Sequence, residues 1–198
     1  MPDVRAATPD DLPRIGAALA AAFADDPVWG YLASTRANWP ARAAAWFKAD
    51  ARAQMRGHGE VSVDDKVRGA AIWSPPDHWK GTTGEAVAIA VPSIRLFGSK
   101  LPRAIRVLIQ MERAHPVDPP HWYLAVLGTD PAYQGAGVGS ALIRSVLDRC
   151  DAQGLGAYLE SSKEQNLAFY ARHGFDLTQR CDPGGQPPTW TMWRDPRS

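Results

Sequence analysis

Residues 121–143 read HWYLAVLGTDPAYQGAGVGSALI, and the rest of the chain is organised around them. Trp122, Tyr123, Leu124, Ala125, Val126 and Leu127 are aromatic, β-branched or otherwise apolar. A run this short without a helical period predicts a buried strand. Asp130-Pro131 ends it, because Pro131 has no N–H and biases Asp130 towards an extended backbone. Gln134-Gly135-Ala136-Gly137-Val138-Gly139 is then a glycine-rich turn. Beyond it Val138, Leu142, Val146 and Cys150 fall at helical spacing, with Ile143 and Leu147 beside them. The order is strand, glycine turn, helix start. The first N–H groups of a helix lack internal partners and that end is electropositive, so glycines that let the backbone come close suit a phosphate or pyrophosphate. The turn has no Gly-Lys-Ser/Thr, and it lies in the C-terminal half with no βαβ repeat around it. A P-loop and a dinucleotide-binding domain are therefore both disfavoured.

Working outward, 198 residues predict one domain, 1–198, large enough to bury most of its unfolded surface. Apolar residues at 45% and charged residues at 22% are ordinary globular composition. The net charge is +1 with no basic block, so neither nucleic acid nor an anionic membrane is the expected partner. Met1-Pro2-Asp3-Val4 is not a charged-then-apolar leader, and no apolar run approaches ~20 residues, which gives a cytoplasmic expectation. Cys150 and Cys181 have no metal or redox spacing, so they read as free thiols and no metal is expected. Eight tryptophans are many for this length, enough for some to line an aromatic or organic-cation pocket as well as the core.

Upstream, Val4 to Ala7 reads as a strand and Thr8-Pro9-Asp10-Asp11 as a helix start, with Leu12, Ile15, Leu19 and Phe23 on one face. Val28 to Leu32 is a short apolar cluster, and Trp39 to about Gln54 a helix. Gly59 to Val63 and Val67 to Trp73 predict a hairpin through Asp64-Asp65-Lys66. Helices are expected over about Glu85 to Phe97 and Pro102 to Arg113. In the second, Ile105, Leu108, Ile109 and Glu112 share a stripe, which puts a carboxylate among apolar residues. Burial there would raise its pKa and suit it to accept a proton. Downstream, Ala157 to Glu160 reads as a strand, Asn166 to Arg172 as a short helix, and Phe175 to Cys181 and Thr189 to Trp193 as the last strands.

The turn resembles the acetyl-CoA pyrophosphate motif of the GNAT N-acyltransferases, Q/R-x-x-G-x-G/A, with Gln134, Gly137 and Gly139 on its fixed positions. The block from Tyr158 to Phe175 looks like the strand and helix that follow it in that family. The resemblance implies an α/β (α+β) domain of the GNAT fold: a mixed, mostly antiparallel twisted sheet with splayed middle strands, flanked by helices. It implies direct transfer of an acetyl group from acetyl-CoA to a primary amine in a ternary complex. The acceptor expected is a small molecule, an aminonucleoside or other amine drug among the possibilities, and the chain is a monomer or homodimer. A CoA-binding sensor without turnover and a protein or peptide N-acetyltransferase are the alternatives.

By the same resemblance, Gly135, Ala136, Gly137, Val138, Gly139 and Ser140 with Gln134 hold the pyrophosphate, and Leu127, Gly128 and Thr129 hold the pantetheine arm and thioester carbonyl. Ala136 stands where Lys or Arg is common, so cofactor binding should depend less on salt. Tyr170 matches the family's general acid, and Asn166 an Asn that contacts CoA; Lys163 replaces another such Asn. Glu112 is the first candidate base and Glu160 the second, with His115 and His121 able to act through water. The early helices wall the acceptor pocket in this fold, which makes Trp29, Tyr31 and Trp46 candidate substrate contacts.

Overall fold

A computed structural model describes residues 2–35 and 37–197. The elements run β1 (Val4–Ala6), α1 (Leu12–Ala22), α2 (Pro27–Leu32), α3 (Trp39–Arg56), β2 (Glu60–Asp64), β3 (Gly69–Ser74), α4 (Thr83–Phe97) and α5 (Leu101–Ala114). They continue with β4 (His121–Thr129), α6 (Val138–Gln153), β5 (Gly156–Ser161), α7 (Leu167–Arg172), β6 (Asp176–Cys181) and β7 (Thr189–Arg194). The seven strands make one sheet in the order β1-β2-β3-β4-β5-β7-β6. Every neighbouring pair is antiparallel except β4 with β5.

Local chemistry accounts for the boundaries. Asp11 ties down the start of α1: its carboxylate accepts from the backbone and hydroxyl of Thr8 and is gripped from both sides by the Arg5 guanidinium. The hairpin between β2 and β3 closes on Asp64, whose buried carboxylate accepts from the N–H groups of Arg68 at 2.6 Å and Gly69 at 3.2 Å. Val67 within that turn takes φ 52, so the second strand starts at Gly69, two residues later than the apolar run predicts.

Two cores flank the sheet. On one face Leu12, Ile15 and Leu19 of α1 and Ala43, Phe47 and Ala51 of α3 cover Val61, Val63, Ala70 and Ile72. On the other, Val138, Leu142, Val146 and Cys150 of α6 pack on Trp73, Leu124 and Leu159, as their spacing predicts. Among the described residues no helix is long and apolar enough to cross a membrane, and no cluster of His, Cys, Asp and Glu could hold a metal ion.

The face of α5 that packs is not the predicted one. Val107 is buried, with Ala104 and Met111 packed beside it, whereas Ile105, Leu108 and Ile109 are 49%, 56% and 41% exposed and Glu112 is exposed with them. The helix has apolar residues on two faces, and the α2 side took the one built from 104, 107 and 111.

Gly128 has a packing reason for being glycine. A Cβ there would lie 2.7 Å from Leu19 Cδ2 and 3.0 Å from Ala22 Cβ on α1. Gly128→Ala is therefore expected to cost ~1–3 kcal/mol through overpacking. An equilibrium urea titration measures this; an unchanged midpoint would leave the close approach of α1 to β4 without consequence.

Candidate active site

β4 and β5 are hydrogen-bonded only from His121 to Leu124 and from Gly156 to Leu159. Beyond that they part. β4 runs on to Thr129 against β3, while β5 continues through Glu160 and Ser161 against β7. The ladder between β3 and β4 shifts at the same place, with Ile72 opposite Val126 and Trp73 opposite Leu124, so Ala125 is an extra residue there. A bulge ends or redirects pairing, and here it sits where the strands separate. Among the described residues, the β4 edge from Ala125 to Thr129 that turns away from β3 has no strand on it. Such an edge pairs readily with an extended ligand carrying amides.

The glycine turn lies at the far end of that edge. Gly135 and Gly137 take φ 80 and φ 79, left-handed values that favour glycine. A Cβ built on Gly135 meets nothing within 4 Å, and one on Gly137 meets only Pro2 Cδ at 3.8 Å, so the turn faces open space. No side chain caps α6, and its first internal bond runs from Ala141 N–H to Gly137 O at 3.0 Å. The N–H groups of Val138, Gly139 and Ser140 precede that bond and have no intrahelical acceptor. Val138 turns its side chain into the core at 1% exposure, so only its backbone can serve a ligand. Ser140 Oγ lies 3.1 Å from His173 Nε2, and Gly139 sits against the Phe169 ring, which braces the cradle from α7. Gln134 is exposed beside it, its side-chain amide donating to Thr129 O at 3.4 Å. Ala136 is exposed and adds no charge.

On α7, Tyr170 is buried at 8% exposure. Burial and then the charge of Asp26 push its pKa above the ordinary phenol range, so it stays protonated. Asp26 is itself buried, accepting from Trp29 N–H at 2.9 Å and from Ser162 Oγ. The Asn166 side chain makes no capping bond at the start of α7. Lys163 Nζ is paired with the Asp25 carboxylate.

A cavity of about 510 Å³ opens between α2, α5 and the β6–β7 hairpin, lined among others by Tyr31, Val107, Met111, Cys181 and Thr191, with Glu160 at the end of β5 on its wall. The Glu160 side chain is 6% exposed. Its carboxylate acts on the hydroxyls of Tyr123 and Tyr158, whose pKa values burial and then that charge raise. The Tyr158 hydroxyl is buried with no hydrogen-bond partner among the described residues. His115 Nδ1 stands 3.8 Å from Glu160 Oε1.

The second carboxylate candidate thus lies in the cavity, and the first does not. Glu112 is exposed on α5 and is absent from the cavity lining, so the burial that suited it to act as a base is not there. Tyr31 lines the cavity, its ring under the Arg103 guanidinium at 4.6 Å. Trp29 and Trp46 are packed instead into an aromatic cluster with Phe47 and Phe97, and Trp46 Nε1 donates to Ser93 Oγ at 2.9 Å. Gly128 lies between Leu127 and Thr129 on the open edge, with Leu19 and Ala22 of α1 packed against it. Sequence reasoning passed over Tyr123, Tyr158 and the pairing of His115 with His121; all converge on Glu160 through the parallel register of β4 and β5, which no local pattern announces.

Residues 104–175 match the model of the acetyltransferase (GNAT) family. A solved structure described as a histone acetyltransferase HPA2 and related acetyltransferase from Corynebacterium glutamicum is 27% identical, with a TM-score of 0.76 over 100% of this chain and 97% of that one. An agmatine N-acetyltransferase is 17% identical with a TM-score of 0.63, covering 98% of each chain, and shows the fold. An uncharacterized N-acetyltransferase of Schizosaccharomyces pombe is 40% identical over 58 residues, 29% of this chain and 24% of that protein. The chain spans a quarter or less of the curated relatives it matches.

Proposed function

We propose that the chain is an acetyltransferase of the GNAT family, as its fold and its matched segment support, and that it transfers an acetyl group from acetyl-CoA to a primary amine of a small molecule. One observation carries this reading. The open edge of β4 runs from the point where β4 and β5 part, just before the cavity-lining Glu160 of β5, to the glycine-lined start of α6. The residues fit the cofactor: the turn is open where a pyrophosphate needs room, and the first turn of α6 supplies uncommitted N–H donors.

Acetyl-CoA supplies an acyl group activated as a thioester. The chain does the rest. The first turn of α6, with Gly135 and Gly137, holds the pyrophosphate, and Asn166 adds a side-chain amide. Leu127, Gly128 and Thr129 present backbone groups along the arm. Glu160 takes the proton that an ammonium must lose before it can attack. Tyr170, protonated by its surroundings, gives a proton to the departing sulfur.

A cavity of about 510 Å³ suits a small acceptor. Three segments resemble puromycin N-acetyltransferase: Ala20 to Asp25, Gln110-Met111-Glu112 and Thr189 to Met192. Gln110, Met111, Thr189 and Thr191 from them line the cavity, which supports an aminonucleoside as one acceptor to try first.

Thiol release from acetyl-CoA across a panel of aminonucleosides, polyamines and arylalkylamines tests the proposal, with one amine expected to drive turnover above hydrolysis. CoA binding without turnover on any amine or peptide would make the chain a CoA-binding module. The cofactor site has its own test. Gly137→Asp puts a side chain at φ 79 and a negative charge where the pyrophosphate approaches. Acetyl-CoA affinity should fall by at least ~10-fold, about 1.4 kcal/mol. Unchanged calorimetric affinity in a folded variant would move the pyrophosphate elsewhere.

A further inference from the structure

Behind Glu160 lies a pair of buried histidines, and their geometry fixes where the protons sit. His121 Nδ1 is 2.8 Å from Pro119 O, and a carbonyl only accepts, so Nδ1 carries a hydrogen. His121 Nε2 is 3.1 Å from His115 Nε2. Burial, and the neighbouring His115, push the His121 pKa down, against the opposite pull of the Pro119 carbonyl, so the ring stays singly protonated. Its Nε2 is then a lone pair, and His115 must donate to it from Nε2. A neutral His115 therefore points a bare Nδ1 at Glu160 Oε1, 3.8 Å away.

The His115 ring cannot turn to escape this arrangement. Trp79 stacks on it at 3.9 Å and 15°, and Tyr123 and Tyr158 meet it edge-on at 4.7 Å each. The titratable groups facing it are Glu160 and Tyr158 from β5 and His121 and Tyr123 from β4, with Asp77 acting on His121 from the loop after β3.

We propose that His115 is a positioning residue and proton sink for the acceptor site, acting through Glu160. The inference rests on the reading of Glu160 as the base. In the first step the ammonium N–H bond breaks and its proton goes to Glu160, leaving a neutral amine and a carboxylic acid. In the second that proton passes from Glu160 to His115 Nδ1, directly after a small closure or through one water, which restores the carboxylate and makes an imidazolium. The chain stops there. His121 cannot hand its own Nδ1 proton onward, because the Pro119 carbonyl holds a hydrogen bond but takes no proton. The proton leaves only by the way it came, through Glu160 and the cavity after product departs. This arrangement keeps Glu160 ionised while the amine reacts.

The test uses the full chain with ¹⁵N-labelled histidine. Two-bond ¹⁵N–¹H correlation spectra between pH 5 and 8 should show His121 with its hydrogen on Nδ1 throughout, and neutral His115 with its hydrogen on Nε2. In Glu160→Gln the His115 Nδ1 resonance should move, since that nitrogen loses the carboxylate it faces. Neither readout needs an acceptor, so both stand even if no amine in the panel is acetylated. With an active amine, His115→Phe keeps the stack on Trp79 and removes the acceptor nitrogen. Its kcat should fall ~10-fold or more with the acetyl-CoA KM unchanged, and the acidic limb of kcat/KM should shift to lower pH. If His115→Phe does not fold, the spectra decide. An Nε2–H tautomer at His121, an unmoved His115 Nδ1 resonance in Glu160→Gln, or an unaltered pH profile in His115→Phe overturns the proposal.

Discussion

Glu160→Gln is expected to slow acetyl transfer by ~10²-fold or more at neutral pH while acetyl-CoA binds as before. The amide keeps the shape of the side chain, and its carbonyl can still face the hydroxyls of Tyr123 and Tyr158, so the fold should survive. What it cannot do is take a proton. The side chain is 6% exposed, which leaves little water to stand in as base. The loss should shrink with pH, because a larger fraction of the amine is then already deprotonated. In the variant, kcat/KM should climb ~10-fold per pH unit towards the pKa of the amine, where the parent levels off. The amine KM should rise too, since a cation loses its counter-charge in the cavity. Glu112→Gln is the contrast. Its carboxylate is exposed on α5 and outside the cavity, so the rate should stay within about 2-fold. If Glu112→Gln slows the reaction and Glu160→Gln does not, the base has been assigned to the wrong helix-facing carboxylate and α5 must close over the site during turnover.

The contrast between these two carboxylates shows where sequence reading succeeds and where it stops. The glycine turn and the helix after it were legible because their chemistry is local: positive φ at Gly135 and Gly137, then an apolar stripe from Val138 to Cys150 that packs as its spacing predicts. The hairpin over Asp64 and the start of α1 at Asp11 are local in the same way. α5 is not. Its sequence carries two apolar faces, and only the position of α2 and the sheet decides that 104, 107 and 111 turn inward. A carboxylate on the rejected face then looks buried in sequence and is exposed in space. Trp29 and Trp46 pack together with Phe47, since aromatic residues on early helices serve a core cluster as readily as a pocket wall. The histidine pair needed two things that no periodicity carries. The loop before β4 must fold His115 back on His121, and the parallel register must place Tyr123 beside Tyr158 and point both at Glu160. Gly128 shows the reverse case: the glycine was noticed for the cofactor, and the packing of α1 explains it without one.

Tyr170→Phe should lower turnover by ~10²- to 10⁴-fold with little change in acetyl-CoA affinity. The ring is buried against Phe169 and Phe175 at centroid distances of 5.3 and 6.1 Å, and phenylalanine keeps those contacts. Among the described residues no hydrogen bond holds the hydroxyl, so removing it strands no partner and stability should change little. The hydroxyl is available as a donor for the same reason. Burial, and then the Asp26 charge, make it a weaker acid than a free phenol. That keeps the phenol protonated, so it can donate a hydrogen bond to the negative charge that builds on sulfur as the C–S bond breaks. The identity of the leaving group separates a proton donor from a packing residue. A thioester whose thiol is more acidic needs the proton less, so it should recover part of the rate in Tyr170→Phe and gain little in the parent. Equal losses for good and poor leaving groups, or normal turnover in Tyr170→Phe, would make the ring a packing element and leave solvent to protonate the sulfur. Asp26→Asn is the companion measurement. It removes the charge that helps hold the proton on Tyr170, so the basic limb of the rate profile should move to lower pH only if the phenol is the group that limits it.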